Sequence, residues 1–166
     1  GLLTALNKRT GQTAWTSASK SRVSQAPPVV AEIAGLRQIV VLSMEMLAGI
    51  HPETGQVLWQ TPRQGQTVVV TPPIVLGDVV FTSSGYNVGA DVFQIESTAG
   101  RFAATLLHHT KDLGCQKGGV AGSKGFVYGA SERGKLVCLE ARSGTLAWTH
   151  GPVRGGSAIL FGDRVL

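Results

Sequence analysis

The chain has 166 residues, 43% of them hydrophobic, and a mean hydropathy of +0.15, enough apolar material to bury a core and to exclude a disordered tail. Charged residues make up only 15%, and the 22 glycines are about twice the usual rate, a balance that suits short strands joined by tight turns. The net charge is +5, but beyond the acid-free first 31 residues, which hold Lys8, Arg9, Lys20 and Arg22, basic residues are scattered among acids, so nucleic-acid binding is not expected.

From the N-terminus, Leu2–Ala5 reads as a strand, and Leu6-Asn-Lys-Arg-Thr-Gly11 as the turn of a hairpin. The same turn pattern recurs as Ile50-His-Pro-Glu-Thr-Gly55, Ile95-Glu-Ser-Thr-Ala-Gly100 and Leu139-Glu-Ala-Arg-Ser-Gly144. The glycines at 11, 55, 100 and 144 set intervals of 44, 45 and 44 residues. In each copy an aliphatic residue closes one strand, a polar stretch carries the turn, and glycine supplies a positive φ that a Cβ would resist. A tryptophan follows four residues later in three copies (Trp15, Trp59, Trp148), where its ring is expected to pack between adjacent sheets. The remaining copy has Ala104, whose junction should be smaller or filled by Phe102 or Leu106.

Ahead of each hairpin lies a second pair of extended runs: Pro28–Ile33 with Gln38–Leu42, Pro73–Leu76 with Val79–Thr82, and Gly119–Ala121 with Phe126–Tyr128. Ala34-Gly35, Gly77-Asp78 and Ser123-Lys124-Gly125 form the turns between them. Two strands plus a hairpin give a four-stranded antiparallel unit of about 44 residues, the size of a propeller blade. The expected fold is therefore all-β, a β-propeller, divided as the end of one blade (1–22), three blades (23–64, 65–110, 111–151) and the start of another (152–166). The terminal strand pairs either close a small four-bladed ring or belong to a larger propeller. The second is favoured, because Leu166 stops in mid-strand and both ends would leave unpaired edges.

No apolar run approaches the roughly 20 residues of a membrane helix; the longest, Pro72–Phe81, is broken by Gly77 and Asp78, so no transmembrane segment is expected. With no initiator Met and no signal pattern, Gly1 reads as an internal start, which leaves export open. Cys115 and Cys138 are too few and too far apart for a metal or redox motif, and leave two alternatives, a disulfide or buried free thiols.

Ala5-Leu-Asn-Lys-Arg-Thr-Gly-Gln-Thr-Ala-Trp15, Ala48-Gly-Ile-His-Pro-Glu-Thr-Gly-Gln-Val-Leu-Trp59 and Cys138-Leu-Glu-Ala-Arg-Ser-Gly-Thr-Leu-Ala-Trp148 resemble the A-L-D-x-x-T-G-x-x-x-W repeat of the PQQ-like β-propeller proteins. The resemblance covers essentially the whole chain. Pro73-Ile-Val-Leu-Gly-Asp-Val-Val-Phe81 also resembles the family's entry strands. It implies a piece of a propeller of about seven or eight blades, in a superfamily that includes quinoprotein alcohol dehydrogenases and the propeller lipoprotein that assists outer-membrane protein assembly. It also implies an exported or periplasmic location. The dehydrogenases carry adjacent cysteines over the quinone, an Asp base and acidic calcium ligands. Here Cys115 and Cys138 are separated, and no Cys-x-x-Cys-His haem motif occurs.

No residue is assigned a catalytic, cofactor-binding or metal role, though several segments are candidates. His108-His109 with Asp112 invites a metal or acid–base reading, but adjacent strand residues point to opposite faces, and an ordinary segment connecting two blades is the simpler reading. His51 stands where the family's repeats carry a turn-capping Asp, and His150 falls at a strand end. Ser83-Ser-Gly-Tyr-Asn-Val-Gly-Ala90 reads as a wide polar loop, either structural or facing a ligand near the propeller axis. Met44 and Met46 lie at a tip, tucked under a neighbour or exposed to a partner. Arg154-Gly155-Gly156-Ser157 and Gly118-Gly119 enter first strands, where close packing favours small residues. The expected function is a non-catalytic scaffold in the cell envelope, binding a protein or small ligand at the axis or the blade loops. The alternative is a fragment of an alcohol or sugar dehydrogenase dependent on PQQ and calcium.

Overall fold

The computed structural model describes residues 1–65, 68–115, 117–153 and 155–166. Strands β1 (Thr4–Leu6) and β2 (Thr13–Thr16) form a two-stranded sheet. Three four-stranded antiparallel sheets follow. The first blade is β3 (Val29–Ile33), β4 (Leu36–Leu42), β5 (Met46–Ile50) and β6 (Val57–Pro62). The second is β7 (Ile74–Leu76), β8 (Val79–Ser84), β9 (Gly89–Thr98) and β10 (Arg101–Thr110), and the third is β11 (Val120–Ser123), β12 (Phe126–Ala130), β13 (Leu136–Glu140) and β14 (Leu146–His150). A second two-stranded sheet, β15 (Leu160–Phe161) with β16 (Arg164–Val165), closes the chain. The two terminal pairs remain separate sheets, so they do not complete one blade between them.

Within every blade the strands pair in sequence order, as hairpins with short turns dictate. The first strands face one another across neighbouring blades: Gly119 and Ser157 form a parallel bridge, with the backbones so close that a Cβ at Gly119 would overlap Ser157. Gly119 is there for backbone approach, as the sequence suggests, whereas a Cβ at Gly156 would meet nothing within 4 Å and those at Gly118 and Gly155 only ordinary contacts. Arg154 of the same motif lies outside the described residues.

The core sits between blades. Val79, Phe81 and Val92 of the second blade pack with Val120, Val127, Val137 and Leu139 of the third. The alternate residues Val80, Phe93 and Ile95 pack with Ile33, Val40, Leu42, Leu47 and Trp59 of the first. Successive side chains on a strand point to opposite faces, and both faces of this sheet are covered, which is why Val79-Val-Phe81 has no polar alternation.

Three of the four repeated turns share one geometry. The residues at 7, 51 and 140 each donate their amide to the carbonyl five residues on (2.8, 2.8 and 2.9 Å) and accept from the glycine amide four residues on (2.8, 3.0 and 2.9 Å). Their side chains cap the turn: Asn7 Oδ1 accepts from the Arg9 and Thr10 amides, His51 Nδ1 from the Glu53 amide, and the Glu140 carboxylate from the Arg142 and Ser143 amides. The third copy departs from the repeat. Its strands run on to Thr98 and Arg101, which pair directly, and Ala99 (φ 50°) and Gly100 (φ 76°) make a two-residue turn. Two positive φ values match the right-handed twist of long flanking strands.

The tryptophans differ too. Trp59 lies over Gly49, its cross-strand partner, and its indole N–H donates to Gln38 Oε1 at 2.7 Å, while Gln38 Nε2 donates to the Ile33 carbonyl at 3.2 Å. Trp15 instead reaches the next blade, donating to the Pro52 carbonyl at 3.1 Å with its ring against Gly55. At the Ala104 position, Phe102 packs into the junction with the first blade; Leu106 does not fill it and is 53% exposed.

Candidate functional site

The turns joining second and third strands, and the segments leaving each fourth strand, lie at one end of the blades. At this end β6 closes with Pro62 and passes into Arg63, whose side chain is fully buried. Arg63 Nη1 donates to Ser84 Oγ at 2.6 Å, and Nε lies 3.5 Å from Asp91 Oδ2 on β9. Its Nη2 is buried with no hydrogen-bond partner among the described residues. Asp91 Oδ1 is held more closely by His109 Nδ1, at 2.7 Å. Burial lowers the Arg63 pKa from its ordinary value and the Asp91 charge partly restores it, so the guanidinium depends on this carboxylate.

Around these groups the first and second blades enclose an open groove of about 980 Å³. Pro62, Val88, Phe93 and Leu106 supply its apolar lining, and Asn87, His109 and Lys111 its polar rim. Sequence reading does not single out Arg63 or Asp91. The signal it passes over is Asp91 itself, an acid set between Ala90 and Val92 inside an apolar run, because a buried charge needs a partner.

The expected polar loop at 83–90 is much shorter than the sequence suggests. Ser83 and Ser84 belong to β8 and are buried, Gly89 and Ala90 belong to β9, and only Gly85–Val88 turn. The turn joins the second and third strands of its blade, β8 and β9. Ser83 Oγ donates to the Leu113 carbonyl at 2.8 Å and accepts from the Cys115 amide at 3.0 Å, a structural tie to the next connection. Tyr86 (φ 56°) and Asn87 (φ 59°) both have left-handed backbones. Glu132 of the third blade accepts their amides at 2.5 and 2.9 Å and so holds the turn from across the blade junction.

His108 and His109 are not in a connecting segment but in β10, and they face opposite ways as strand geometry requires. His109 turns to Asp91; His108 turns to the third blade, where its Nε2 lies 3.0 Å from the Ala141 carbonyl. Asp112 joins neither, lying instead 3.7 Å from Arg133 and bonding with Thr110. His51 caps its turn, and His150 is the exposed last residue of β14. Met44 is half-buried against the core between the first two blades, and Met46 Sδ accepts from Ser19 Oγ at 3.3 Å, so both methionines are tucked in. Cys115 and Cys138 are buried free thiols.

The calcium and quinone reading finds no fit in these residues. Among the described residues no three His, Cys, Asp or Glu side chains converge as ligands, and the cysteines are separate and enclosed.

A family model described as "Outer membrane protein assembly factor BamB" matches residues 1–150. The chain belongs to this family. Among solved structures, the computationally designed Ika8 protein superposes with a TM-score of 0.64 at 15% identity, over 96% of this chain and 47% of its own. The computationally designed Ika4 protein gives 0.64 at 16%, over 94% and 91%. BamB from Moraxella catarrhalis gives 0.47 at 16%, over 98% and 60%. The two designed proteins support the fold alone. This chain spans about half the length of Ika8 and 60% of that of the Moraxella BamB. No curated protein matches. Among the described residues no helix is long and apolar enough to cross a membrane.

Proposed function

We propose that this chain is a non-catalytic β-propeller module that serves as a binding scaffold for protein assembly in the cell envelope, on the periplasmic or exported side. The family match over residues 1–150 carries this reading. The way its polar side chains are used supports it: Asn7, His51 and Glu140 cap turns, Glu132 holds a neighbouring turn, and Arg142 pairs with Asp78 across a blade junction at 2.5 Å. These are devices for rigidity, which suits a surface that presents fixed loops to a partner. The partner would be a protein engaging the blade loops.

Photo-crosslinking in the full-length protein tests this reading, with the reactive group placed at Tyr86, Leu106 or Leu146, all exposed. Crosslinks to a component of outer-membrane protein assembly are expected. Absence of any such product, together with dye-linked oxidation of an alcohol or glucose on adding the quinone and calcium, would overturn it in favour of a dehydrogenase.

A further inference from the structure

We propose that the outer edge of the second blade, along Arg101–Leu106 of β10, is a docking site for an extended segment of a protein partner, which adds to the sheet as a fifth strand. The first argument is main-chain hydrogen bonding. β10 is the last strand of its sheet and pairs only with β9. At ten residues it is far longer than the outer strands β2, β6 and β14, which have four, six and five. The turn at Ala99-Gly100 makes Thr98 and Arg101 a hydrogen-bonded pair, and bonded and non-bonded pairs alternate along an antiparallel ladder. Ala103 and Thr105 therefore bond to β9, whereas Phe102, Ala104 and Leu106 turn their N–H and C=O groups outward. Among the described residues none of these three has a backbone hydrogen bond outside its sheet. A row of alternate free donors and acceptors is the template on which an extended chain adds a strand.

The second argument is what the edge lacks and what borders it. Natural edges are blocked by proline, lysine or an inward charge, and Phe102–Leu106 has none of these. β6, by contrast, ends on Pro62. The register shift between Leu106 and His108 interrupts the ladder, so the open stretch is bounded by the turn and the bulge. Phe102 and Ala104 pack toward the first blade, and Leu106, 53% exposed, borders the groove lined by Pro62 and Phe93. A side chain of the added strand beside Leu106 has apolar surface to cover. Charge narrows the occupant further. β10 holds no acid, Glu96 on β9 is engaged by Gln94 at 3.0 Å, and the exposed Arg101 makes no ion pair among the described residues. An acid beside Arg101 is favoured and a cation opposed. The occupant is thus a segment with apolar residues at alternate positions and an acid at the end that meets Arg101.

The probes are two acetylated peptide amides, Glu-Val-Thr-Val-Thr-Val and the reversed Val-Thr-Val-Thr-Val-Glu, which set the acid beside Arg101 in a parallel and an antiparallel added strand respectively. Each is titrated into the full-length protein, with hydrogen exchange read at single amides. In the free protein Phe102, Ala104 and Leu106 should exchange faster than Ala103 and Thr105. One of the peptides should slow those three by about tenfold or more and leave Ala103 and Thr105 unchanged. Methylating one alternate set of its peptide nitrogens should abolish the effect, and methylating the other set should not. Ala104→Pro removes the central outward N–H, at a position where an edge strand tolerates proline, and should abolish the protection. Arg101→Glu, on an exposed side chain, should weaken binding about threefold and favour the peptide with Lys in place of Glu; it keeps the test valid where Ala104→Pro fails to fold. Failure of both peptides to protect the three amides, protection that survives Ala104→Pro, or binding indifferent to both methylation and Arg101→Glu would overturn the site. So would protection that rises with protein concentration alone, which would make a second copy of the chain the occupant. The inference rests on the binding-module reading only in taking a polypeptide as partner. Peptide binding without crosslinks from Tyr86 or Leu146 would remove the assembly role and keep the edge, and such crosslinks without peptide binding would do the reverse.

Discussion

His108 docks on the third blade as Trp15 docks on the first. The Trp15 indole N–H donates to the Pro52 carbonyl at 3.1 Å, three residues before Gly55, and its ring covers that glycine. The His108 Nε2 lies 3.0 Å from the Ala141 carbonyl, three residues before Gly144, and its ring covers that glycine in turn. A carbonyl oxygen only accepts, so Nε2 carries the proton and His108 donates. The histidine lies eight residues after Gly100, where the repeat places its tryptophan only four after the glycine. The long β9–β10 hairpin and its register shift between Leu106 and His108 bring it to the same place.

This equivalence predicts an ordering among glycine substitutions. All four repeat glycines have φ between 72° and 76°, so alanine is strained at each by about 1 kcal/mol. At Gly55 and Gly144 the new methyl would also strike the Trp15 or His108 ring, whereas Gly11 and Gly100 face open space. G55A and G144A should therefore lose about 1–3 kcal/mol more than G11A and G100A, measured by denaturant unfolding. Equal losses at all four would show that ring docking contributes nothing.

How far the fold was legible follows from the same residues. The strands and the period are written in local pattern, because glycine, capping residues and β-branched runs act over a few positions; the rings are not, since Trp15 reaches the next blade while Trp148 is 41% exposed and pairs with Tyr128 of its own blade. The third turn was misread although its glycine is in phase. Glu96 could cap as Glu140 does, but its carboxylate is engaged by Gln94 at 3.0 Å, and Ser97 and Thr98 extend the strand instead. The groove was illegible for a different reason: Arg63 and Asp91 are 28 residues apart, on separate blades, and only the stacking of blades joins them.

The turn at Tyr86 and Asn87 should depend on a residue 45 positions away. With E132A, two amides held by a carboxylate lose their acceptor, a loss of about 1–3 kcal/mol locally. Hydrogen exchange at Tyr86 and Asn87 should accelerate well ahead of exchange in β8 and β9. N87G, by relieving a left-handed non-glycine residue, should restore part of the protection. Unchanged exchange in E132A would mean that the turn is held by its own strands.

Acid stability should report the cap of the last complete hairpin. Bonds from Ser143, side chain and amide, hold the Glu140 carboxyl below its ordinary value, with Arg142 adding to the effect. A carboxyl with a lowered folded-state pKa contributes stability that is present above the unfolded pKa and disappears as pH falls through the folded one. Wild type should therefore lose stability more steeply than E140Q as pH drops through and below the usual carboxylate range, and the two curves should converge at the acid end. The group is largely exposed, so the difference is small and should shrink further in salt. Parallel curves would rule out Glu140 as a contributor.

Asp91 stands between two bases, and removing its charge should do far more than removing either partner. In D91N the Arg63 guanidinium, fully buried, keeps its charge but loses its one counter-charge, a loss of about 3–5 kcal/mol for a buried pair broken on one side. H109Q keeps the Arg63 contact and removes a half-exposed ring, so it should lose about 1 kcal/mol or less. R63M removes the cation together with its unmatched donor and leaves the Asp91 carboxylate with His109 at 2.7 Å as its partner, so it should lose less than D91N does. The double variant R63M/D91N should then be markedly more stable than D91N alone, because the charge that D91N strands is no longer there. Additive losses in that cycle, measured by chemical denaturation, would mean that water rather than Asp91 balances Arg63 in the folded protein.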